Sequence, residues 1–342
     1  MKSFCIVVGV LFSCISVSNG QGRHYKLVGH QVIGGAGGWD YLSVDPENRV
    51  LYIAHGTQVE TYNLDRDSLM RPILNTDGPH GVAIADRQKH GFISCGKTNS
   101  VLEFDLHTRD SIKSIPVGNH PDAIVYDPSS QHIFTMNAAD NSISVLDAST
   151  GAIEGMIALP GRPEFAVSDQ RGHFFVNLED KSQIVKVDTK SNTIVAVWKV
   201  APGMEPSALA MDRGTNRLFI GCGNQKMIVM NADNGKVVAV LPIGKGVDAI
   251  TFDAFAKLAF SSNGEGNMTI VSEEYGDKFK VVQTLETEKG ARTVAIDPIT
   301  HDVYTVTAQF GATPEATKDI PKPRPRILPD TFTLLKYARS SN

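Results

Sequence analysis

The sequence has 342 residues, of which 42% are hydrophobic and 20% are charged, a balance that is typical of a globular protein. Its 33 lysines and arginines stand against 37 aspartates and glutamates, which gives a net charge of −4. This charge excludes a general attraction for nucleic acid or for an anionic membrane surface, so we expect no nucleic-acid partner.

The first 20 residues have the features of a secretory signal peptide. Lys2 precedes an apolar segment, residues 4–11, and small residues lead to the predicted cleavage after Gly20. The apolar segment is too short to span a membrane, and no later segment is long enough. The residues before Cys14 resemble a lipobox only loosely, because Phe12 fits it poorly, so we rank simple cleavage above lipoprotein anchoring. The sequence therefore predicts a periplasmic or secreted protein.

A single strand is predicted at residues 25–33, and a glycine-rich segment, residues 34–38, follows it. The segment leads into another strand, contains no lysine and is not followed by a helix. We therefore interpret it as a connector rather than as a phosphate-binding loop.

From residue 39 onward the sequence repeats. Each unit contains four short strand-like runs separated by Asn, Asp, Ser, Gly or Pro, as residues 121–160 illustrate. The aspartates that close the first run recur in steps of 41 to 44 residues, at Asp45, Asp86, Asp127, Asp169, Asp212, Asp253 and Asp297. A period of about 40 residues with four strands is the signature of a propeller blade. The sequence thus predicts an all-β, seven-bladed β-propeller with four antiparallel strands per blade.

The seventh unit has only three strands before the chain ends. Because residues 25–33 offer a strand without a partner, we predict that this N-terminal strand closes the last blade and removes the open edge. Residues 21–342 would then form a single domain, which we expect to be a monomer. The seventh unit also carries a proline-rich segment, residues 309–330, between its second and third strands. We predict that this segment forms a flap on the face where the innermost strands begin.

Two of the four cysteines, Cys95 and Cys222, remain after removal of the signal peptide. They hold equivalent positions in the second and fifth blades, on roughly opposite sides of the ring. A disulfide needs Cα atoms within about 7 Å, so we expect two free thiols.

Polar residues recur where the chain enters each innermost strand, at the mouth of the central channel. In blade order they are Asp40, His80, Asp122, Glu164, Ser207, Asp248 and Arg292, with Trp39 and Glu205 beside two of them. A second set occupies the turn between the second and third strands, namely His55, Cys95, Asn137, Asn177, Cys222, Asn263 and Thr307. Polar propeller entrances commonly hold only water, so for any single residue a solvated lining is the ordinary interpretation.

As a set, four carboxylates at one mouth repel one another unless a cation compensates them. We therefore predict a ligand-binding site that comprises Trp39, Asp40, His55, His80, Asp122, Glu164, Asp248 and Arg292. The predicted ligands of one divalent metal ion are Asp122, Glu164, Asn177 and Asp248. Oxygen ligands suit Ca²⁺ or Mg²⁺, whereas His80 would admit Mn²⁺ or Zn²⁺. In a catalytic site His80 would carry protons and Arg292 would bind an anion; alternatively, Arg292 neutralises Asp40 or Asp248.

The blade sequences resemble a known repeat. IFTMNAADNSISVLDASTG and FISCGKTNSVLEFDLHTR are similar to the YVTN repeat of exported bacterial proteins called YncE-like, although no blade contains the literal Tyr-Val-Thr-Asn. The resemblance covers the whole mature chain and implies a periplasmic or surface propeller that acts as a binding or interaction module. A more distant likeness, in architecture only, is to gluconolactonase-type propellers, which hold a divalent metal in the channel through Glu, Asn and Asp.

Two classes of function therefore remain open. We favour a binding module for a small ligand, a metal or a partner at the funnel face of the channel. The alternative is a metal-dependent lactonase, hydrolase or lyase at the same site, and a pure scaffold is a third possibility. The sequence contains no GxSxG, HExxH, CxxC or Walker motif and no nucleophilic triad, so hydrolysis would need the metal.

Overall fold

The computed structural model describes residues 24–318, 321 and 323–340. The predicted signal peptide, including Cys14, lies outside the described residues. Within them the only helices are two single 3₁₀ turns, Asp86–Gln88 and Glu179–Lys181, and no helix is long and apolar enough to cross a membrane.

Seven four-stranded antiparallel sheets make up the described part of the chain. The strands of blades one to three are Trp39–Asp45, Val50–His55, Gln58–Asn63 and Ser68–Leu69; Pro79–Ala85, His90–Cys95, Ser100–Asp105 and Ser111–Pro116; and Pro121–Asp127, His132–Asn137, Ser142–Asp147 and Ile153–Ala158. Those of blades four to six are Pro163–Ser168, His173–Leu178, Gln183–Asp188 and Thr193–Lys199; Pro206–Asp212, Arg217–Cys222, Lys226–Asn231 and Val237–Pro242; and Val247–Asp253, Leu258–Asn263, Asn267–Glu274 and Lys278–Glu286. The prediction of an all-β, seven-bladed propeller with four antiparallel strands per blade is confirmed.

The seventh blade is closed by the N-terminal strand, as predicted. Its chain-order strands are Val294–Ile296, Val303–Thr307 and Thr333–Arg339, and Tyr25–Val32 pairs with the last of these as the outermost strand. The pairing is antiparallel from Tyr25 opposite Arg339 to Val32 opposite Thr333. The Tyr25 ring also packs edge-on against Phe260 of blade six at 4.9 Å, so the strand joins two blades.

Aromatic side chains fill the spaces between the blades. Phe134 of blade three lies 4.4 Å from Phe174 of blade four, and Tyr52 of blade one lies 5.5 Å from Phe104 of blade two, as measured between ring centroids. All four of these residues are fully buried. The first strands of successive blades contact one another around the whole ring, including those of blades seven and one. They therefore surround the central channel.

The aspartate that marks the sequence repeat turns the chain and, in several blades, joins the next blade. The Asp45 carboxylate accepts the backbone N–H groups of the residues two and three positions later, which fixes the turn after the first strand. Asp127 also accepts a hydrogen bond from Ser168 Oγ of blade four at 2.6 Å. Asp297 of blade seven binds Arg49 of blade one through two hydrogen bonds of 2.8 and 2.6 Å.

The two faces of the ring differ in what they carry. Each first strand begins on one face, here called the front face, and ends on the other, here called the back face. Because second strands return to the front face, the proline-rich segment after Val303–Thr307 starts there. An isolated bridge between Phe310 and Ile327 holds its two arms together, and Phe310 packs on Trp39 with ring centroids 6.1 Å apart.

The two cysteines are buried and free, which confirms the prediction for Cys95 and Cys222. Burial raises the pKa of both thiols to about 12. Both are therefore protonated, unreactive side chains at neutral pH.

We predict that the N-terminal strand is needed for the closed ring. A chain that begins at Ile33, compared with one that begins at His24, should melt roughly 10 °C lower, because it exposes the edge of Thr333–Arg339 and loses the buried Tyr25 ring. Differential scanning calorimetry measures the difference. Equal melting temperatures would show that closure does not stabilise the ring.

The second prediction concerns the junction of blades seven and one. Burial of Asp297 is outweighed by the hydrogen bonds from Arg49 and the turn, so its pKa is lowered to about 2. The lowered pKa stabilises the fold above about pH 4, and this contribution is lost as the pH falls towards about 2. Arg49→Gln should lower the free energy of unfolding at pH 7 by about 2–4 kcal/mol.

Urea denaturation at several pH values tests this prediction, with Arg66→Gln, a change of an exposed arginine in the same blade, as the control. The difference in unfolding free energy between the wild type and Arg49→Gln should shrink as the pH falls from about 4 to about 2. A deficit independent of pH would contradict the assignment to Asp297.

Candidate functional site

A β-bulge recurs at the start of the first strand in blades one to six. In each of them one extra residue interrupts the pairing with the second strand, for example between Trp39 and Leu42. A bulge breaks the alternation of side chains and re-aims the residue that it contains. The residues at these bulges are Asp40, His80, Asp122, Glu164, Ser207 and Asp248.

Three of these residues meet at the front mouth of the channel. His80 Nδ1 lies 2.5 Å from Asp40 Oδ2 and 3.5 Å from Asp122 Oδ1, and one donor atom from each residue lies within 4.8 Å of the others. Burial, and then the charge of Asp248, raises the pKa of Asp40 well above its usual range, although Arg292 opposes this. Burial and the charge of Asp40 likewise raise the pKa of Asp122, against the influence of His80. In this cluster, Asp40–His80–Asp122, burial and mutual repulsion thus oppose the ionisation of both carboxyl groups.

Small neighbours fix the position of His80 and Asp122. A Cβ at Gly96 would lie only 2.6 Å from His80 Nε2, so no other residue at this position leaves room for the ring. The buried Ser94 hydroxyl accepts the Gly81 N–H at 2.9 Å and donates to the carbonyl oxygen of Asp122. Ser94 therefore joins the bulges of blades two and three.

Arg292 neutralises Asp248 rather than remaining available to an anion. Its Nε donates to Asp248 Oδ2 at 2.7 Å, and its Nη2 donates to the carbonyl oxygen of Trp39 at 2.7 Å. The guanidinium also lies over the Trp39 ring, 5.2 Å from its centroid. Of the two roles considered for Arg292, the geometry favours charge compensation.

Glu164 lies within electrostatic range of the cluster and forms no ion pair with any described residue, since Arg162 pairs with Glu179. Burial and the charge of Asp248 raise its pKa to about 7, while Arg162 partly offsets them. Below the carboxylates, Tyr41 is 5% exposed and packs edge-on against Phe165 at 4.7 Å. Burial and then four carboxylates, those of Asp122, Asp40, Asp248 and Glu164, raise the pKa of its phenol.

The second predicted set is mostly engaged within the sheets. His55 is buried, lies 3.3 Å from Glu60 and stacks on Phe332 at 3.9 Å. The Trp39 ring is also buried and packs on Phe332 at 5.5 Å. Neither His55 nor the Trp39 ring makes a recorded contact with the Asp40–His80–Asp122 cluster in the described part of the chain.

Of the asparagines in this set, Asn137 lies where the sequence predicts it, whereas Asn177 of blade four does not. Asn137 Nδ2 donates to Ser142 and Ser144, so this amide group is held inside its own sheet. In blade four the residue paired with the start of the first strand is Leu178, the equivalent of Asn137, and Asn177 is one position earlier. Successive strand residues face opposite sides, so the sequence alignment that placed Asn177 in the ring is corrected by one residue.

The structure therefore assembles a different donor set from the predicted Asp122, Glu164, Asn177 and Asp248. It brings His80 and Asp40 to Asp122, and it couples Asp248 to Arg292. Sequence reasoning missed Tyr41, Ser94 and Gly96. Only Tyr41 left a readable signal, since it and Phe165 are the aromatic residues that directly follow an acidic residue of the ring.

Comparisons with solved structures agree with this architecture. Kuenenia stuttgartiensis hydrazine synthase is similar, with a TM-score of 0.70 and 14% identity, over 78% of this chain and 92% of that chain. The structure of U3-55K is similar with a TM-score of 0.74 and 7% identity, over 91% and 98% of the two chains. The chain has the seven-bladed β-propeller fold. At these identities the likeness shows the fold alone.

No protein-family model and no curated protein sequence matches the chain. The resemblance to YVTN/YncE-like proteins therefore stays a prediction.

We predict that Glu164 destabilises the protein when it is ionised. Its pKa is raised from 4.5 to about 7 on folding, so the cost is complete above about pH 7 and disappears below about pH 4.5. Glu164→Gln should therefore raise the free energy of unfolding at pH 8 by about 1–3 kcal/mol and change it little at pH 4.5.

Urea denaturation in the presence of EDTA provides the measurement. The exposed Glu274 offers a matched control in Glu274→Gln, which should have no such effect. A loss of stability in Glu164→Gln at pH 8 would show that the ionised carboxylate is compensated.

Proposed function

We propose that the protein is a binding module that holds a divalent transition-metal ion at the front mouth of its channel, with Asp40, His80 and Asp122 as ligands. The observation that carries this proposal is the approach of three donor atoms to within 4.8 Å of one another. In addition, Asp122 Oδ1 is fully buried and accepts no hydrogen bond from any residue that the structure describes, although His80 Nδ1 lies 3.5 Å away. Such an atom is costly to bury unless something compensates it, and a cation would do so.

The donor types indicate the class of metal. One imidazole and two carboxylates suit Zn²⁺ or Mn²⁺, whereas Ca²⁺ and Mg²⁺ prefer oxygen ligands alone. His80 would present Nδ1 to the ion and keep its proton on Nε2. Three protein ligands leave coordination positions for a small molecule with oxygen donors, which is the ligand class that a binding module of this kind would take.

The remaining features support export and binding. The leader-like residues 1–20 and the resemblance of the blades to YVTN/YncE-like proteins favour a periplasmic or secreted location. Propellers commonly serve as binding or scaffold modules. We therefore place the protein among exported binding propellers.

A metal-dependent lactonase, hydrolase or lyase is the second candidate, and Glu164 favours it. A carboxyl group with a pKa of about 7 beside a metal site can exchange protons near neutral pH. If this candidate is correct, the protein hydrolyses lactones only when Zn²⁺ or Mn²⁺ is present, and Glu164→Gln abolishes that activity. Metal binding without such turnover supports the binding module.

Isothermal titration calorimetry of EDTA-treated protein tests the metal site. Zn²⁺ or Mn²⁺ should bind with 1:1 stoichiometry, and Asp122→Asn should weaken binding by roughly tenfold to a hundredfold. The matched control is Asp77→Asn, which alters an exposed carboxylate paired with Lys97 just before the first strand of blade two. Affinity should fall between about pH 7 and pH 5, because protons compete for the ligands. Absence of heat with either metal, or equal affinity in Asp122→Asn and the wild type, would refute the proposal.

A further inference from the structure

The central channel contains a second compartment on the back-face side. It is a cavity of about 490 Å³ surrounded by the first strands of blades one, four, five, six and seven. Aliphatic and aromatic side chains dominate its lining, among them Val44, Phe165, Val167, Met211 and Phe252. Its open end is formed by residues that follow the first strands, including Pro46, Gln170, Arg213 and Pro298.

This cavity is separated from the metal site proposed above. Phe165 lines the cavity, whereas Tyr41, which packs against it at 4.7 Å, does not. Tyr41 is buried under the carboxylates of the front mouth. The Tyr41–Phe165 pair therefore lies between the acidic front mouth and the apolar back compartment.

Apolar surface remains exposed inside the back compartment. Val44, Val167, Phe252 and Ile296 are only half-buried, although they lie at the centre of the ring. Water in contact with such a lining gains few hydrogen bonds, so an apolar molecule that displaces the water is favoured. The cavity volume falls in the range of about 300–1,000 Å³ that is usual for small-molecule sites.

Among the described residues that line the cavity, Arg213 is the only charged one. Its Nε donates to the carbonyl oxygen of Ser168 at 2.9 Å, and within the described residues its guanidinium forms no ion pair. The aspartates nearest to it have other partners, since Asp169 accepts N–H groups of its own turn and Asp212 pairs with Lys257. Arg213 therefore lies at the open end of an apolar cavity with no carboxylate of the described residues at ion-pair distance.

The carboxylates of Asp169, Asp127 and Asp212 and the guanidinium of Arg171 act on Arg213 from a distance, and each of them has hydrogen-bond partners of its own. Asp127 is occupied by the hydroxyls of Ser129, Ser130 and Ser168, and Arg171 donates to Asn216 and to the carbonyl oxygen of Arg213. Arg213 is itself exposed to solvent, so its guanidinium is open to a ligand that reaches the open end of the cavity. A carboxylate there would accept the hydrogen bonds that the guanidinium nitrogens can still donate.

We propose that the back compartment binds a linear amphiphile, with its alkyl chain in the channel and its carboxylate on Arg213. The apolar lining, which extends inwards to Phe165, and the one charged residue of the described lining, Arg213 at the open end, together favour this shape and charge. A bidentate guanidinium–carboxylate contact would fix the head group. The proposal does not depend on the metal site, because none of the residues that line the cavity belongs to the Asp40–His80–Asp122 cluster.

The probe is 11-(dansylamino)undecanoic acid, whose fluorescence rises in an apolar environment. We expect saturable binding to the full mature chain and displacement by dodecanoate but not by dodecyltrimethylammonium. Arg213→Gln should weaken dodecanoate binding roughly tenfold. Arg87→Gln, which changes an exposed arginine of the same face outside the cavity lining, should leave it unchanged.

A second variant tests the channel itself. Val167→Trp should fill the cavity and abolish probe binding while the circular dichroism spectrum and Zn²⁺ or Mn²⁺ binding stay as in the wild type. Asp122→Asn should not affect dodecanoate. The proposal is overturned if folded Val167→Trp binds the probe normally, if the cationic amphiphile competes as well as dodecanoate, or if phosphatidylglycerol vesicles bind while free dodecanoate does not.

Discussion

The closure of the ring is the constraint on which the rest of the structure depends. Seven sheets surround a channel only if the seventh contacts the first, and here the contact is made by chain segments about as far apart in sequence as possible. Tyr25–Val32 completes the last sheet, and Arg49 of blade one holds Asp297 of blade seven. Once these junctions form, every first strand has a neighbour on both sides, and each first strand begins at the front mouth and ends at the back mouth.

The closed ring holds acidic side chains close together at the front mouth although their charges repel one another. On one side Arg292 compensates Asp248, whereas on the other side a single imidazole lies between two aspartates with raised pKa values. The bulges hold these groups in place although their charges repel, and the packing between the blades supplies the stability that the site lacks. Perturbed pKa values cluster at functional sites, and this is the reason for proposing a binding site at the front mouth.

The fold could be predicted from the sequence because each blade repeats the same turn residues, and because the unpaired strand at residues 25–33 matched the missing strand of the last unit. The convergence of acidic residues at one mouth followed from the same repeat. The contacts within the mouth did not follow, since they depend on how neighbouring blades pack, which Ser94 and Gly96 help to set. Asn177 was misplaced because the residue paired with the start of the first strand in blade four is Leu178. A shift of one residue exchanges the two faces of a strand, and the sequence of blade four does not reveal that shift.

The pairing of Tyr25 with Arg339 also has a mechanical consequence. The two ends of the described chain lie side by side on the outer edge of one sheet, and the strands run in opposite directions from that point. Tension applied between the ends would load the hydrogen bonds of this pair one after another, as in a zipper, rather than all at once. The blades would then be released sequentially from this seam, so the edge that closes the molecule is also where pulling would begin to open it.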